Sequence, residues 1–199
     1  MRLALAVLLA AAAHAETPGS PEARAALARC EKADDVPAAA KAGELKQSLA
    51  QAERAVAADD DDAVAHFAVF CAVGKQTQMA GISTKVLGNV RRMRREVDRA
   101  LQIDPDYTAA LAGKGAFLIE LPRVFGGDAK EGERLLRRAL EIDPDYVRPR
   151  LDLARALAAR GANSDARTEA ERALAAAEKR HDDEGAADAH DLLAKFGRS

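Results

Sequence analysis

Apolar residues along this chain fall at the three- and four-residue steps of a buried helix face. Leu151, Leu153, Ala154 and Leu157 fit one helical stripe, and Ala166, Ala170, Ala173 and Leu174 fit the facing stripe of a second helix. Gly161 lies between them, where a left-handed residue would end the first helix cheaply. Leu111, Gly115 and Leu118 carry the first helix of an earlier pair, and Ala139 its second. Residues 62–74 and 86–101 make a further pair with a long connection, and residues 21–33 and 38–57 a degenerate first one. Residues 184–196, with Leu192, Leu193 and Phe196 turned inward, read as a lone capping helix. The pattern predicts about nine helices and no strands.

The pairs are copies of one another. RALQIDPDY at residues 99–107 returns as RALEIDPDY at residues 138–146. The Arg-Ala-Leu phrase starts at Arg99, Arg138 and Arg172, with a weaker copy at Arg54, so it recurs after 45, 39 and 34 residues. The last interval is the tetratricopeptide period, and the other two are that period with insertions. The final unit resembles the tetratricopeptide (TPR) motif. Leu153, Ala154 and Leu157 stand at its large-small-large positions, and Gly161, Ala166 and Ala173 at its turn glycine and two small positions. Pro144 matches its proline, and Arg150 replaces its Trp. The resemblance implies an all-α fold, a right-handed superhelical solenoid of helical hairpins. These are expected over about 21–58, 62–102, 107–142 and 146–179 within a domain at 21–199, with the cap at 184–196. The IDPDY phrase is read as the joint between hairpins. Pro105 and Pro144 are expected in the first helical turn, with Asp104 and Asp143 before them. A hairpin cannot bury its face alone, so the joint is written again each time.

The middle hairpin carries an insertion, LPRVFGGDAKEGERLL, at residues 121–136. Pro122 should end the preceding helix, Gly126 and Gly127 should make a tight turn, and Asp128 with Glu131 should form a capping box. Leu121, Pro122, Gly126, Gly127 and Asp128, followed by the Ala-Leu-x-Ile-Asp-Pro helix end, resemble the T-component of TRAP transporters. They are also similar to the regulator-of-microtubule-dynamics-like repeat proteins. Over residues 62–160, this resemblance implies an exported adaptor working beside a solute-binding protein or another envelope partner. The alternative is a structural scaffold in envelope assembly with no small ligand.

Composition adds an address. Arg2, the apolar run 3–13 and Ala13-His14-Ala15 form a signal peptide, expected to be cleaved after Ala15, with residues 16–20 as a polar linker. That run is too short to span a bilayer, no second one follows, and no lipid-site Cys ends it, so the mature chain is expected to be periplasmic or otherwise exported. The formal charge of −2 becomes about −3 on cleavage, and with no dominant basic face this argues against nucleic acid as partner. Alanine supplies most of the 48% of residues that are hydrophobic, which suits thin, closely packed helices. Cys30 and Cys71 fall on neighbouring helices. They are either a disulfide, which an oxidising compartment permits, or two buried small apolar side chains.

The first helices of the hairpins should form a concave wall for a protein or peptide partner. Helical spacing places Val64, Phe67, Ala68 and Cys71 there from one hairpin. The next supplies Ala109, Ala112, Gly113, Ala116 and Glu120, and the last Arg148, Asp152 and Arg155. The run of small residues leaves volume for an extended peptide or amphipathic anion, with Arg148 and Arg155 meeting a carboxylate. Equally, the small residues could serve only close helix packing.

Other constellations carry less. Val73-Gly74-Lys75-Gln76-Thr77 lacks the upstream glycine of a phosphate loop. The run Asp59 to Asp62 lacks the glycine and closing Glu of a calcium loop and reads as an inter-helix loop that caps the next helix. His181, Asp182, Asp183, Glu184, Asp188, His190 and Asp191 gather metal-ligand types at no familiar spacing. Arg91, Arg92, Arg94 and Arg95 read as a solvated helix face. No catalytic pairing is legible, and no cofactor or metal is expected.

Overall fold

A computed structural model describes residues 18–80 and 86–196. The expected signal peptide, residues 16 and 17 of the linker, the connection 81–85 and residues 197–199 lie outside the described residues. Within them the helices are α1 (Pro21–Lys32), α2 (Ala38–Ala58), α3 (Ala63–Ala80), α4 (Val86–Ile103), α5 (Thr108–Glu120), α6 (Ala129–Ile142), α7 (Val147–Ala159), α8 (Asn163–Arg180) and α9 (Asp183–Phe196). A single 3₁₀ turn covers Arg123–Phe125, and no strand occurs among the described residues. Consecutive helices pair as hairpins α1/α2, α3/α4, α5/α6 and α7/α8, and α9 closes on α7 and α8. The first helices also touch one another, α1 with α3 and α5 with α7, so the hairpins stack into a two-layered solenoid.

The repeated joint is a four-residue turn, and both prolines sit in it rather than in the helix. Tyr107 N–H donates to Asp104 O at 3.2 Å, and Tyr146 N–H to Asp143 O at 3.2 Å. The Asp104 carboxylate accepts from Asp106 N–H at 3.0 Å and Asp143 from Asp145 N–H at 3.1 Å. Aspartate first and proline second is the order such a turn prefers, so the tyrosines, not the prolines, precede the helix. The run Asp59 to Asp62 is a third copy of this joint. Asp62 N–H donates to Asp59 O at 3.3 Å, and the Asp59 carboxylate accepts from Asp61 N–H at 2.9 Å. Asp62 then caps α3 through Ala65 N–H at 3.0 Å and holds Ser20 N–H at 2.8 Å, tying down the start of α1.

The Arg-Ala-Leu phrase belongs to the same device. Arg99 reaches back from α4 to Asp60 and Asp61, at 3.2 and 2.6 Å, and Arg138 from α6 to Asp106 at 2.8 Å. In the last hairpin Lys179 pairs with Asp145, and Arg180 with Asp143 at 2.7 Å. In these three hairpins the second helix, α4, α6 or α8, is therefore latched to the turn that opens its own hairpin, although Arg172 itself pairs with Glu169 on its own helix.

Equivalent positions in the three hairpins hold His66, Leu111 and Arg150 on the first helix, facing Glu96, Leu135 and Glu169 on the second. His66 Nδ1 lies 2.8 Å from Glu96, and Arg150 donates to Glu169 at 2.8 Å. Leu111 and Leu135 instead share one apolar cluster. Arg150, at the motif's Trp position, also donates to Pro144 O at 3.0 and 2.6 Å, so its fork links α7 to the preceding turn and to α8.

Two glycines set the α5/α6 spacing. A Cβ on Gly132 would stand 2.6 Å from Gly115 O, and one on Gly115 would stand 2.9 Å from Gly132 O. Only retreat of one helix relieves a clash with backbone. Gly132→Ala is expected to cost about 2 kcal/mol, whereas Gly43→Ala, on α2 with nothing within 4 Å, should gain about 0.5–1 kcal/mol. Urea midpoints of the two variants check this, and equal stabilities would refute the close approach.

The insertion loop performs its expected turns with one exception. Leu121 caps α5, Gly126 takes φ +86°, and Gly127 N–H donates to Pro122 O at 3.1 Å. A Cβ on Gly127 would fall 1.8 Å from Leu121 O, so only glycine fits. Asp128 accepts from Glu131 N–H at 3.1 Å, but the reciprocal half of the capping box is not made. The Glu131 carboxylate is taken by Arg134 at 2.6 Å instead. Gly161 does end α7, with φ +83° and Ala162 N–H donating to Leu157 O at 3.0 Å.

Candidate functional site

The concave side of the solenoid holds an open groove of about 570 Å³. Its floor is helical in register. From α3 it receives Phe67, Phe70, Cys71, Gly74, Lys75 and Gln78, and from α5 Ala109, Ala112, Gly113, Ala116, Phe117 and Glu120. From α7 come Val147, Arg148, Leu151 and Asp152, with Tyr146 just before that helix. The size is that of a ligand or peptide-segment site.

Of the residues expected on this wall, Phe67, Cys71, all five from α5, Arg148 and Asp152 line the groove. Val64 and Ala68 do not. Val64 is buried against the N-terminal segment, where a Cβ on Gly19 would meet it at 2.6 Å, and Ala68 is buried in a cluster with Ala26, Ala52, Val69 and Val73. The groove stripe on α3 instead continues through Phe70, Gly74, Lys75 and Gln78. Helix α3 is buried over nearly its whole girth at Ala63–Val73, so its sequence has no polar side from which to read the phase. Arg155 stands beside the groove, held by Asp152 at 3.1 Å and Asp188 at 2.8 Å. It is therefore already paired and not available to a ligand carboxylate.

Gly113 is small for a different reason from that expected. A Cβ there would lie 2.9 Å from the rings of Phe67 and Phe70, so the missing side chain admits the aromatic pair. These rings stack at 5.6 Å. Phe67 meets Tyr107 edge-on at 5.3 Å, and Phe70 meets Phe117 edge-on at 5.8 Å. The result is a rigid aromatic bed joining α3 to α5. Ala109, Ala112 and Ala116 remain as the shallow part of the floor.

The groove also takes charged residues from two elements that sequence reading did not assign to it. The C-terminal end of α1 and the turn after it bring Glu31, Lys32, Asp34 and Asp35, and the start of α9 brings Asp182, Glu184 and Asp188. Only their concentration of charge could have marked them. Lys75 binds the Cys30 carbonyl at 2.8 Å and Asp34 at 2.6 Å, which closes the C-terminus of α1 and leaves Val73–Thr77 an ordinary stretch of α3. Cys30 and Cys71 are joined in a disulfide, Cα to Cα 6.4 Å, fastening α1 to α3 beside the groove.

Three of the tail residues have structural duties. His181 takes φ 55° at the end of α8, Asp182 caps α9 through Gly185 N–H at 2.9 Å, and Asp188 pairs with Arg155. Among the described residues no group of three His, Cys, Asp or Glu side chains is placed to hold a metal ion. In the arginine run, Arg92 meets Glu53 at 2.5 Å, while Arg94 donates to Gly126 O at 2.9 Å and lies over Phe117. The motif-loop residues 121–128 do not line the groove.

Burial raises the Glu120 and Asp152 carboxyls above the usual carboxylate range. Asp152 adds to the rise at Glu120, and Arg148 and Arg155 oppose it at both. Burial likewise raises Glu31, with Lys75 opposing. The Tyr146 phenol is pushed up to about 12, by burial first and then by Glu31, Asp143 and Asp152, so it presents a neutral hydroxyl to the groove.

The tetratricopeptide repeat family model matches residues 126–196. No curated protein matches the chain by sequence. Among solved structures, the chain is similar to MamA, with a TM-score of 0.54, 15% identity and 80% of each chain covered. It is similar to TTC0263, a thermophilic TPR protein of Thermus thermophilus, with a TM-score of 0.53, 18% identity, and 78% of this chain and 73% of that one covered. It is also similar to a mutant O-GlcNAc transferase of Thermobaculum terrenum, with a TM-score of 0.52 and 23% identity over 81% of this chain but 27% of that one. At these identities the likeness is one of fold. Residues 126–196 therefore match the tetratricopeptide repeat by sequence, and the stacked hairpins as a whole share the fold of TPR solenoids.

Proposed function

We propose that this protein is an exported, non-catalytic adaptor of the cell envelope that holds a segment of a partner protein in its concave groove. The open groove across α3, α5 and α7 carries the reading, because a preformed apolar floor with a polar rim is what an extended segment needs. The TPR fold supports a protein-interaction role. Export rests on the N-terminal residues 1–15, and the Cys30–Cys71 disulfide suits an oxidising compartment. No described helix is long and apolar enough to cross a membrane. A solute-binding protein of a TRAP-type system is the partner favoured by Leu121, Pro122, Gly126, Gly127 and Asp128. These residues shape the loop before α6.

The test is a displayed peptide library selected on the protein and rescreened against Ala116→Trp, which fills the shallow floor. Selected peptides should lose at least about tenfold in affinity on the variant, at unchanged melting temperature. Equal binding to both proteins would refute the groove as the binding face.

A further inference from the structure

The charges around the groove are unevenly satisfied. Asp34 is paired with Lys41 and Lys75, Asp152 with Arg148 and Arg155, and Asp188 with Arg155, while Asp182 caps α9. Glu31, Asp35, Glu120 and Glu184 also line the groove, and among the described residues none of them makes an ion pair or a side-chain hydrogen bond. The groove cations are Lys32, Lys75 and Arg148, of which Lys75 and Arg148 already face carboxylates. Four unpaired carboxylates therefore stand against one unpaired cation, around a floor of Phe67, Phe70, Phe117 and Tyr146. This balance opposes the amphipathic anion expected from the sequence. It complements a positive ligand whose apolar parts rest on the rings and whose cations reach the rim.

We propose that the groove takes an extended peptide segment in which lysine or arginine alternates with apolar side chains, the cations meeting Glu31 and Asp35 at the α1 end and Glu120 and Glu184 at the α7/α9 end. The inference rests on the groove being the binding face, and it names the chemistry of the segment bound there. Burial raises the carboxyls of Glu31 and Glu120 although Lys75 opposes the rise at Glu31 and Arg148 and Arg155 oppose it at Glu120, in accord with side chains that no cation contacts directly. Because these side chains lie at the rim, the preference is electrostatic and weakens as salt rises.

Three labelled peptides of equal length test it, each a repeated glycine–leucine–X triplet with X lysine, glutamine or glutamate. Fluorescence anisotropy on the whole protein should rank lysine about tenfold tighter than glutamine at physiological ionic strength, with glutamate weakest and the lysine advantage shrinking in high salt. The triple variant Glu31→Gln/Glu120→Gln/Glu184→Gln should erase the lysine advantage and leave the glutamine peptide unchanged. The proposal is overturned if the lysine peptide does not bind, if it binds no tighter than the glutamine peptide, or if the triple variant keeps its preference. Ala116→Trp separates the two readings. If it blocks every peptide while no charge preference exists, the groove stands and only its chemistry is wrong. If a lysine preference survives Ala116→Trp, the groove itself is not the binding face.

Discussion

Removing the disulfide with Cys30→Ala/Cys71→Ala should cost about 4 kcal/mol and lower the melting temperature by on the order of 10 °C. The bridge closes a loop across a sequence separation of 41 residues, and that length sets the chain entropy it removes from the unfolded state. Alanine is the substitute because Cys30 is fully buried among Ala33, Leu45 and Ala72, where serine would add an unsatisfied hydroxyl. The damage should be local as well as global. Helix α1 is held to α3 by the bridge and by Lys75 on the Cys30 carbonyl, and to α2 by Ser48 donating to Ala26 O at 2.8 Å. Amide exchange in α1 should quicken most, and the groove should lose its Glu31 and Asp35 end first. Calorimetry of the oxidised protein and the variant reads the effect, and a loss below about 1 kcal/mol would show that α1 is secured without the bridge.

The second large effect concerns the His66–Glu96 pair between α3 and α4. His66 is buried, with Nδ1 2.8 Å from Glu96 and Nε2 3.1 Å from Asp60 O. The Asp60 carbonyl and the ionised Glu96 carboxylate are both acceptors, so this geometry favours a ring that carries a proton on each nitrogen. Burial opposes that charge, but the hydrogen bonds to Glu96 and the Asp60 carbonyl, with the charges of Glu96 and Asp60, override it and raise the His66 pKa above the usual value. His66→Leu alone leaves the Glu96 carboxylate without its buried partner and should cost about 3–5 kcal/mol. His66→Leu/Glu96→Leu copies the Leu111/Leu135 pair of the next hairpin and should recover most of the loss. The sign of the pH effect follows from the direction of the shift. The folded state binds the His66 proton more tightly than the unfolded chain, so the pair's contribution is full below the unfolded pKa of about 6.5 and is lost as pH rises through the folded value. Urea midpoints at about pH 6 and about pH 9 should therefore fall further for the native protein than for the double variant. Equal falls would mean that His66 is not held as a cation.

The same three hairpins show what was legible in the chain. The DPDY joints and the Arg-Ala-Leu phrase could be found as words, because each is a local device and its residues are neighbours in sequence. The third joint, Asp59 to Asp62, was not recognised, because acids replace the proline and tyrosine while the turn's hydrogen bonds stay the same. The equivalence of His66–Glu96, Leu111–Leu135 and Arg150–Glu169 was hidden for another reason. Its partners come from two helices, and no single stretch of sequence shows a polar pair exchanged for an apolar one.

The sequence by itself determined the helical hairpins, their order and their punctuation. Apolar spacing, glycine at Gly161 and Gly126, and the caps at Asp62 and Asp128 act within a few residues of one another. It also determined the α5 floor of the groove, because a run of small residues on one stripe is itself a local pattern. Tertiary structure decided which face of the uniformly apolar α3 turns inward, and so exchanged Val64 and Ala68 for Phe70 and Gly74. It paired Cys30 with Cys71 and committed Arg155 to Asp152 and Asp188. It also brought the acidic end of α1 and the start of α9 to one groove. The physical reason is the same in each case. A side chain's local periodicity sets its face, but its partner and its solvent exposure depend on how far the solenoid turns between hairpins, and that is a sum over every packed interface.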